Sequence, residues 1–578
     1  MRSHGFPPFY KAFYAVTFIV IAAILLRPAR SPSRTHTSAP LNGKPKLVLL
    51  LVIDGFRADR LTKFDDLFGE GGFKRLMERG AWFTNAHYGH ATTYTAAGHA
   101  VIATGAYANR NGMVSNDWHD REKKSRVYCC EDDAAQVLGE LTKRHGGTSP
   151  KNLLSTTVGD ELRMSNNLQS KSIAISLKDR GAILLGGKLG TAYWWSSATG
   201  RFVTTTKYAQ DYPAWVKQFN DARYADRYFG KEWTRLLPES AYTQSVRDDR
   251  PYEIDMLGNG RTFPHKITGR LDKPGSDFYE ALEWTPFADE LTLEFAKAAV
   301  TNEQLGKRNI TDFLSISLSA HDMICHLFGP ESQEAADIVL RLDRMLADFF
   351  QFLDQQIGMD HVIVALTADH GFMPTPEWSV ELGLDAGRID PEKMTQALND
   401  ALSAKFGSDR WVEAFWNPAL YLNHTAMKAH GVPARDVEEA AADFLRSYPG
   451  IAECLTRTQI LSGRVPDTAL SRRVVKAFHR ERSGDVIVVP KPLWYLHKKP
   501  TEYAATHGSP YAYDTHVPVI LMGEPFRSGV YATLIDVVDV APTLANVLGI
   551  AAPTLCEGRV LHEAIQQAEN KDGGGRKR

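Results

Sequence analysis

The run LVLLLVIDGF, residues 47–56, sets seven apolar side chains in a row and then stops at an Asp-Gly pair. Apolar residues without alternation read as a strand covered on both faces, as in a parallel sheet flanked by helices. Asp54 would then stand at the end of that strand. Working outward, three later stretches repeat the pattern. SIAISLKDRGAILL, residues 172–185, reads as a short strand with Lys178 and Arg180 just past its apolar part. DFLSISLSAHD, residues 312–322, ends in a polar cluster. A helical stretch over about 331–355 leads into HVIVALTADHG, residues 361–371. Strand, helix, strand predicts an α/β core whose largely parallel central sheet is flanked by helices. Helical periodicity returns at 288–301, THVPVILMGEPF near the end is strand-like, and DVAPTLANVLGI is helix-like.

The bulk composition is that of an ordinary globular surface. Charged residues make up 23% of the 578 positions, hydrophobic ones 43%, and the formal net charge is -1. Such a balance calls for no nucleic-acid partner, because backbone binding shows a basic excess or patch. The length admits one large elaborated domain or two. The five cysteines, Cys129, Cys130, Cys325, Cys454 and Cys556, match neither a zinc ribbon nor a disulfide framework. They read as buried small hydrophobes, with room for one disulfide in an exported chain.

The first residues point to export. Arg2 and Lys11 precede the apolar segment FYAVTFIVIAAILL, residues 13–26, which Arg27 closes. It is nearer in length to a signal-peptide core than to a bilayer span of roughly 20 residues. No small-residue cleavage site follows, so residues 1–26 are a signal peptide or an N-terminal membrane anchor, and residues 27–45 a linker. The expected location is outside the cytoplasm, periplasmic or tethered to a bacterial membrane. Residues 208–271, rich in aromatics, Gly and Asp, read as an insertion over the core, and residues 397–487 as a second. The charged stretch DWHDREKKSRVYCCEDD reads as a solvated loop and AAQVLGELTKR, residues 134–144, as a helix. Residues 570–578, with three consecutive glycines, read as a disordered tail. The chain carries no internal repeat.

Chemistry gathers at the strand ends. HATTYTAAGHAVIATGAYANRNGMVSN, residues 90–116, is crowded with small residues and short hydroxyls, and Thr95 is the candidate nucleophile. An alcohol needs a metal or an adjacent base to attack at neutral pH. Candidate ligands are Asp54, Asp322 with His326, Asp369 with His370, and His507 in THGSP. Parallel strands share one carboxyl edge, so residues distant in sequence converge there. Asp322 and His326, four apart, face the same way on a helical turn. Oxygen and imidazole donors suit zinc, and six of them suffice for two ions with three each, leaving a position on each for nucleophile or substrate. Taken singly, each pair also reads as structural, and His90, His99 and His119 as packing groups or as groups that support the ligands from behind.

Together these motifs resemble the alkaline phosphatase superfamily, most closely its bacterial zinc-dependent phosphate-monoester hydrolases related to nucleotide pyrophosphatases and phosphodiesterases. VIDGFR, TAAGHAVIATG, NGMVSNDW, SLKDR, the Asp-x-x-x-His of residues 322–326, ADHG and THGSPYAYDTHVP carry the likeness, which runs from residue 46 to about 560. The resemblance implies a catalytic domain over 46–569 that binds two zinc ions. One would be held by Asp322, His326 and His507, the other by Asp54, Asp369 and His370, with Thr95 as both attacking residue and ligand. It further implies that Asn116, Lys178 and Arg180 contact the phosphoryl oxygens. The two cations fit a terminal phosphoryl group, which has more nonbridging charge than a diester. The implied activity is broad hydrolysis of small phosphate monoesters through a phosphothreonine, by a monomer rather than an obligate oligomer. The alternative is a nucleotide pyrophosphatase/phosphodiesterase of the same superfamily, and a non-catalytic tethered binding protein stands behind both. Sulfatases share the architecture but present Cys or Ser where this chain has Thr95. Two departures stand out. Cys325 precedes His326 where glycine is common, and His321 precedes Asp322 where a small residue is common.

Overall fold

The computed structural model describes residues 43–139, 147–497 and 502–566. The strands of its two larger sheets, in chain order, are β1 (Leu47–Ile53), β2 (Gly80–Phe83), β3 (Ser172–Ser176), β4 (Thr191–Ser196), β5 (Arg201–Val203), β6 (Asp312–Leu318), β7 (Val362–Thr367), β8 (Val412–Trp416), β9 (Ala419–Leu422), β10 (Ile451–Thr456), β11 (Val486–Pro490), β12 (Val519–Met522) and β13 (Gly529–Tyr531). Nine of them form the central sheet in the order β13-β2-β12-β7-β1-β6-β3-β4-β5. β7, β1, β6, β3 and β4 are mutually parallel, and only β5 and β12 run against the rest. All seven residues of β1 are buried, as an uninterrupted apolar run in the middle of a two-faced sheet requires.

The helices used below are α1 (Phe73–Arg79), α2 (Thr95–Thr104), α3 (Asp179–Gly186), α4 (Pro286–Asn302), α5 (Ala320–Phe328), α6 (Gln333–Gln356), α7 (Pro391–Phe406), α8 (Ala434–Arg446) and α9 (Val540–Leu548). Two groups of helices cover the sheet. One gathers α2, α3 and α9; the other gathers α1, α4, α5 and α6. Ser332 caps α6, its hydroxyl accepting from the Ala335 N–H at 3.0 Å. Residues 208–271 fold into short turns, one helix and a two-residue ladder, and their Trp215, Phe219, Tyr228 and Trp233 join the main hydrophobic core. Trp233 donates from Nε1 to Asp337 Oδ2 of α6 at 2.6 Å. The antiparallel sheet β8-β9-β11-β10 has a core of its own, with α7 and α8 packed on it. We call it the capping sheet.

Three local expectations are corrected. The charged stretch after Asn116 is a hairpin, Asp117–Asp120 paired with Ser125–Tyr128, because Trp118, Val127 and Tyr128 are buried while Arg121 to Lys124 occupy its turn. Residues 172–185 are not one strand. β3 ends at Ser176 and α3 starts at Asp179, whose acid suits a helix N-terminus and whose Ala182 to Leu185 are buried. The helix expected over 134–144 is absent from 134–139, which form turns and a bridge at Val137; the remainder lies outside the described residues. Residues 1–42 and 567–578, with the leader, most of the linker and the tail, also lie outside them. Among the described residues no helix is long and apolar enough to cross a membrane. All five cysteines are free thiols.

Candidate metal centre and active site

Register decides which side chains meet. Val52 of β1 pairs with Ser317 of β6 and Thr367 of β7, and Ser317 pairs with Ser176 of β3. Two residues past each of Val52, Thr367 and Ser176 stand Asp54, Asp369 and Lys178, and the first turn of α5 after β6 carries Asp322. The carboxyl edge of the parallel strands therefore collects three buried carboxylates and an ammonium, at the place where open α/β sheets bind ligands.

Two compact groups of possible ligand atoms result. Asp54, Asp369 and His370 form one; Asp322, His370 and His507 form the other, and the atoms within each lie within 4.8 Å of one another. His370 Nε2 is 3.4 Å from both Asp54 Oδ1 and Asp369 Oδ2. His507 Nε2 is 3.5 Å from Asp322 Oδ1, and its ring stacks on that of His370 at 3.5 Å. His326 stands one step out. Its Nε2 is 3.6 Å from Asp322 Oδ2, but its ring centre is 5.3 Å from that of His507, because Nδ1 is held by the Ala505 carbonyl at 2.9 Å and the ring sits against Phe372 and Tyr503.

The imidazoles are aimed by their other nitrogens. Nδ1 of His370 faces the Gly371 carbonyl at 2.8 Å, and Nδ1 of His507 the Thr93 carbonyl at 2.7 Å, which leaves each Nε2 for the centre. Asp54 Oδ1, Asp322 Oδ1, Asp369 Oδ2 and His370 Nε2 are all buried and have no hydrogen-bond partner. Orphaned buried polar atoms cost about 1–3 kcal/mol each, more when charged. Four of them, converging as carboxylate oxygen and imidazole nitrogen, fit divalent metal ions. Lys178 is the balancing charge in the protein itself. Its Nζ donates to Asp54 Oδ2 at 2.7 Å and to Asp322 Oδ2, linking the two groups.

The electrostatics follow. Burial raises the Asp54 carboxyl, but Lys178 and His370 outweigh it and hold it well below the usual carboxylate range. Burial lowers the Lys178 ammonium, yet Asp322 and Asp54 leave it raised. His370 is opposed by burial and still pushed up to about 9 by Asp369 and Asp54. Burial and the neighbouring His370 drive His507 well below its ordinary value.

Thr95 is the first residue of α2 and is buried at the helix N-terminus. The Ala96 N–H donates to Asn116 Oδ1 at 2.9 Å, so Asn116 is fixed by its acceptor and presents its amide N–H groups. Arg180 lies in the first turn of α3, two residues past Lys178. Burial works against its guanidinium charge, but Tyr128 and Asp179 beside it raise it overall. From the sequence, His99 had only a packing role or a place behind the ligands. Its Nδ1 is 2.8 Å from the Thr95 carbonyl and 3.2 Å from Asp369 Oδ2, and its Nε2 is 2.9 Å from Ser317 Oγ. It bonds the backbone of the candidate nucleophile and lies beside a candidate ligand, and its position one turn past Thr95 on the buried α2 is the signal that could have found this role. His321 does not crowd the centre. Its Nδ1 is 3.2 Å from the Asp54 carbonyl and its ring packs on Phe56. Cys325 is buried among Ala335, Phe372 and Met373, and burial pushes its thiol up, away from thiolate.

Comparison with known proteins places this geometry. Residues 48–510 match the sequence model of the family described as type I phosphodiesterase / nucleotide pyrophosphatase. Alkaline phosphatase PafA of Elizabethkingia meningoseptica is 35% identical over 531 residues, 90% of this chain and 95% of that protein. A Myroides odoratus protein named calcium-transporting ATPase is 37% identical over 91% of this chain and 95% of its own length. The crystal structure of wild-type PafA superposes with a TM-score of 0.83 at 33% identity, covering 90% of this chain and 99% of that one. The chain therefore belongs to the alkaline phosphatase superfamily, as an enzyme of its PafA-like branch, a distant relation of the nucleotide pyrophosphatases/phosphodiesterases.

Proposed function

We propose that the protein is a two-zinc hydrolase of phosphate monoesters with Thr95 as nucleophile. The observation that carries this reading is the convergence of unpartnered buried atoms from Asp54, Asp322, Asp369 and His370 at the strand edge beside the N-terminus of α2. Asp322, His326 and His507 would hold one ion and Asp54, Asp369 and His370 the other, with Thr95 joining the set. When bound, the ions supply Lewis acidity, which lowers the pKa of a hydroxyl and offsets charge on phosphoryl oxygens.

The chain's own residues do the rest. The Thr95 hydroxyl gives its proton to solvent and its oxygen bonds to phosphorus in line with the leaving oxygen, which departs with the electrons of the broken P–O bond and takes up a proton from water. The product at Thr95 is a phosphothreonine. Water then cleaves it, regenerating the hydroxyl and releasing inorganic phosphate. Asn116 donates from its amide to a nonbridging oxygen, and the N-terminal end of α2 favours the same charge. Lys178 and Arg180 pair with the remaining oxygens, the former as a point charge and the latter as a fork.

The family description, type I phosphodiesterase / nucleotide pyrophosphatase, favours a second reading in which diesters are the substrate. Matched aryl phosphate and bis-aryl phosphate assays on the zinc-loaded wild type and a Lys178→Ala, Arg180→Ala double variant separate the two. A monoester preference that collapses in the variant supports the monoesterase. Dominant diester hydrolysis that the variant leaves untouched moves the protein to the diesterase branch.

The same reading takes residues 46–569 as the catalytic domain with insertions near 208–271 and 397–487. It takes the chain as a monomer exported through residues 1–26 to scavenge phosphate from small esters. The basic start and apolar run of that leader support export.

A further inference from the structure

Away from the metal groups, a cavity of about 230 Å³ opens between the hairpin that follows Asn116 and the capping sheet. Its walls carry His119, Arg121, Lys124, His424 and Arg457. One buried residue organises three of these. Asp485 is fully buried, and its Oδ2 accepts from Arg121 Nη1 at 2.8 Å and from the Leu422 N–H at 2.8 Å. Its Oδ1 lies 3.1 Å from His424 Nε2, and its carbonyl accepts from the Arg457 N–H at 2.7 Å. Arg121 also donates to the Ser483 carbonyl at 3.0 Å and lies over the Tyr421 ring. A guanidinium has five N–H donors, so these contacts orient it and leave donors over.

Two further facts concern the residues of these walls. His119 is only 6% exposed, and its Nε2 is buried with no partner. The one carboxylate on the wall, Glu413, is already paired with Lys124 at 3.7 Å. Joining a hairpin to a sheet does not need this arrangement, because an exposed ion pair would do it without desolvating a carboxylate. A planar guanidinium held by a buried acid, with a second guanidinium and an unpartnered imidazole on the same walls, is matched to a tetrahedral oxyanion.

We propose that this cavity is a second oxyanion site, taking inorganic phosphate or a phosphoryl group of a polyanionic ester. It communicates with the metal centre through the hairpin. The Asp117–Asp120 strand starts directly after Asn116, and the Cys129 N–H closes the base on the Asn116 carbonyl at 2.9 Å. His119 is three residues along, roughly 10 Å at strand rise.

Equilibrium dialysis of labelled inorganic phosphate against the zinc-loaded full chain is the test. The wild type is expected to bind two phosphates per chain. An Arg121→Gln, Arg457→Gln double variant is expected to bind one while turning over aryl phosphate within about twofold of wild type. One phosphate per active wild-type chain overturns the inference, as does a variant that keeps both. If the double variant proves unstable, Lys124→Glu at the exposed turn is expected to weaken the second phosphate about tenfold, and unchanged affinity overturns the inference. The source of the anion is read from KM in the double variant. A several-fold rise for a bisphosphorylated ester alone assigns a substrate phosphoryl group, and no rise with the second phosphate lost assigns the free anion. Wild type without turnover would sink the catalytic reading instead, so the two failures are distinct.

Discussion

Gly98 sets how near the helix bearing Thr95 comes to the metal-ligand strand end. A β-carbon at Gly98 would lie 2.0 Å from the Asp369 carbonyl oxygen, so a larger residue forces α2 and the β7 end apart. Gly98→Ala is expected to weaken zinc binding by about tenfold or more and to cost about 1–3 kcal/mol of stability, measured by competition with a chromogenic chelator and by denaturant titration. An unchanged zinc affinity would show that the contact is not used. Thr95→Ala is expected to lower monoester turnover by at least about a thousandfold with the far-UV circular dichroism unchanged. Near-wild-type turnover would remove Thr95 as nucleophile. Asp54 and Asp369 were legible as candidate ligands because each stands just past an apolar strand, where register brings it to one edge; His507 lies in a loop between strands, and only its THGSP motif pointed to it. The partners of Lys178 were not legible. Whether an ammonium at a strand end faces a phosphoryl group or the carboxylates of neighbouring strands depends on side-chain direction, which sequence spacing does not carry.

Among elements, α6 braces more than its own face. Asp343, fully buried, accepts from the Phe73 N–H through Oδ1 and from the Gly69 N–H through Oδ2, both at 2.8 Å, and so caps α1 from outside. Asp343→Ala would strand one buried donor and one partly buried one and is expected to cost about 1–3 kcal/mol. Faster hydrogen exchange at the Phe73 and Gly69 amides, with exchange in β1 little changed, would locate that loss; uniform acceleration would argue against a local cap. Long apolar runs made β1, β6 and β7 legible, and the helical period made α6 legible; the aromatic and hydroxyl residues of β4 read instead as antiparallel or capping, though it pairs parallel with β3. The hairpin after Asn116 was not legible, since its alternation lasts four residues a side and its charges look like those of a loop. The break between β3 and α3 was missed because their apolar residues resume after only three charged positions and a glycine, 178–181.

For the molecule as a whole, burial outside the metal centre makes stability depend on pH. Burial, and then the nearby Glu334 carboxylate, push the Glu253 acid up from 4.5 to about 9. The folded state therefore holds a proton that the unfolded chain releases near 4.5. Its contribution is intact below that value and is lost as pH climbs toward 9, at up to about 1.4 kcal/mol per unit. Glu253→Gln should escape this, so its melting point relative to wild type is expected to rise steadily from pH 5 to pH 9; a constant difference would count against a protonated Glu253. Chelation should abolish turnover and lower the melting point, with zinc restoring both, because a ligand bound only by the folded state adds about 2.7 kcal/mol at a hundredfold excess over Kd. The ladder that closes the capping segment has another consequence. Gly387 pairs with Trp494 and Arg388 with Tyr495, so the chain leaves the catalytic frame and returns to it at one point. Everything between is a loop on a closed stem, a cassette that can lengthen, shrink or be exchanged between lineages without rethreading any strand beneath. Its inner face rests on Ala91, four residues before Thr95. Exchange of that cassette is a route by which one catalytic frame acquires new preferences for what it releases.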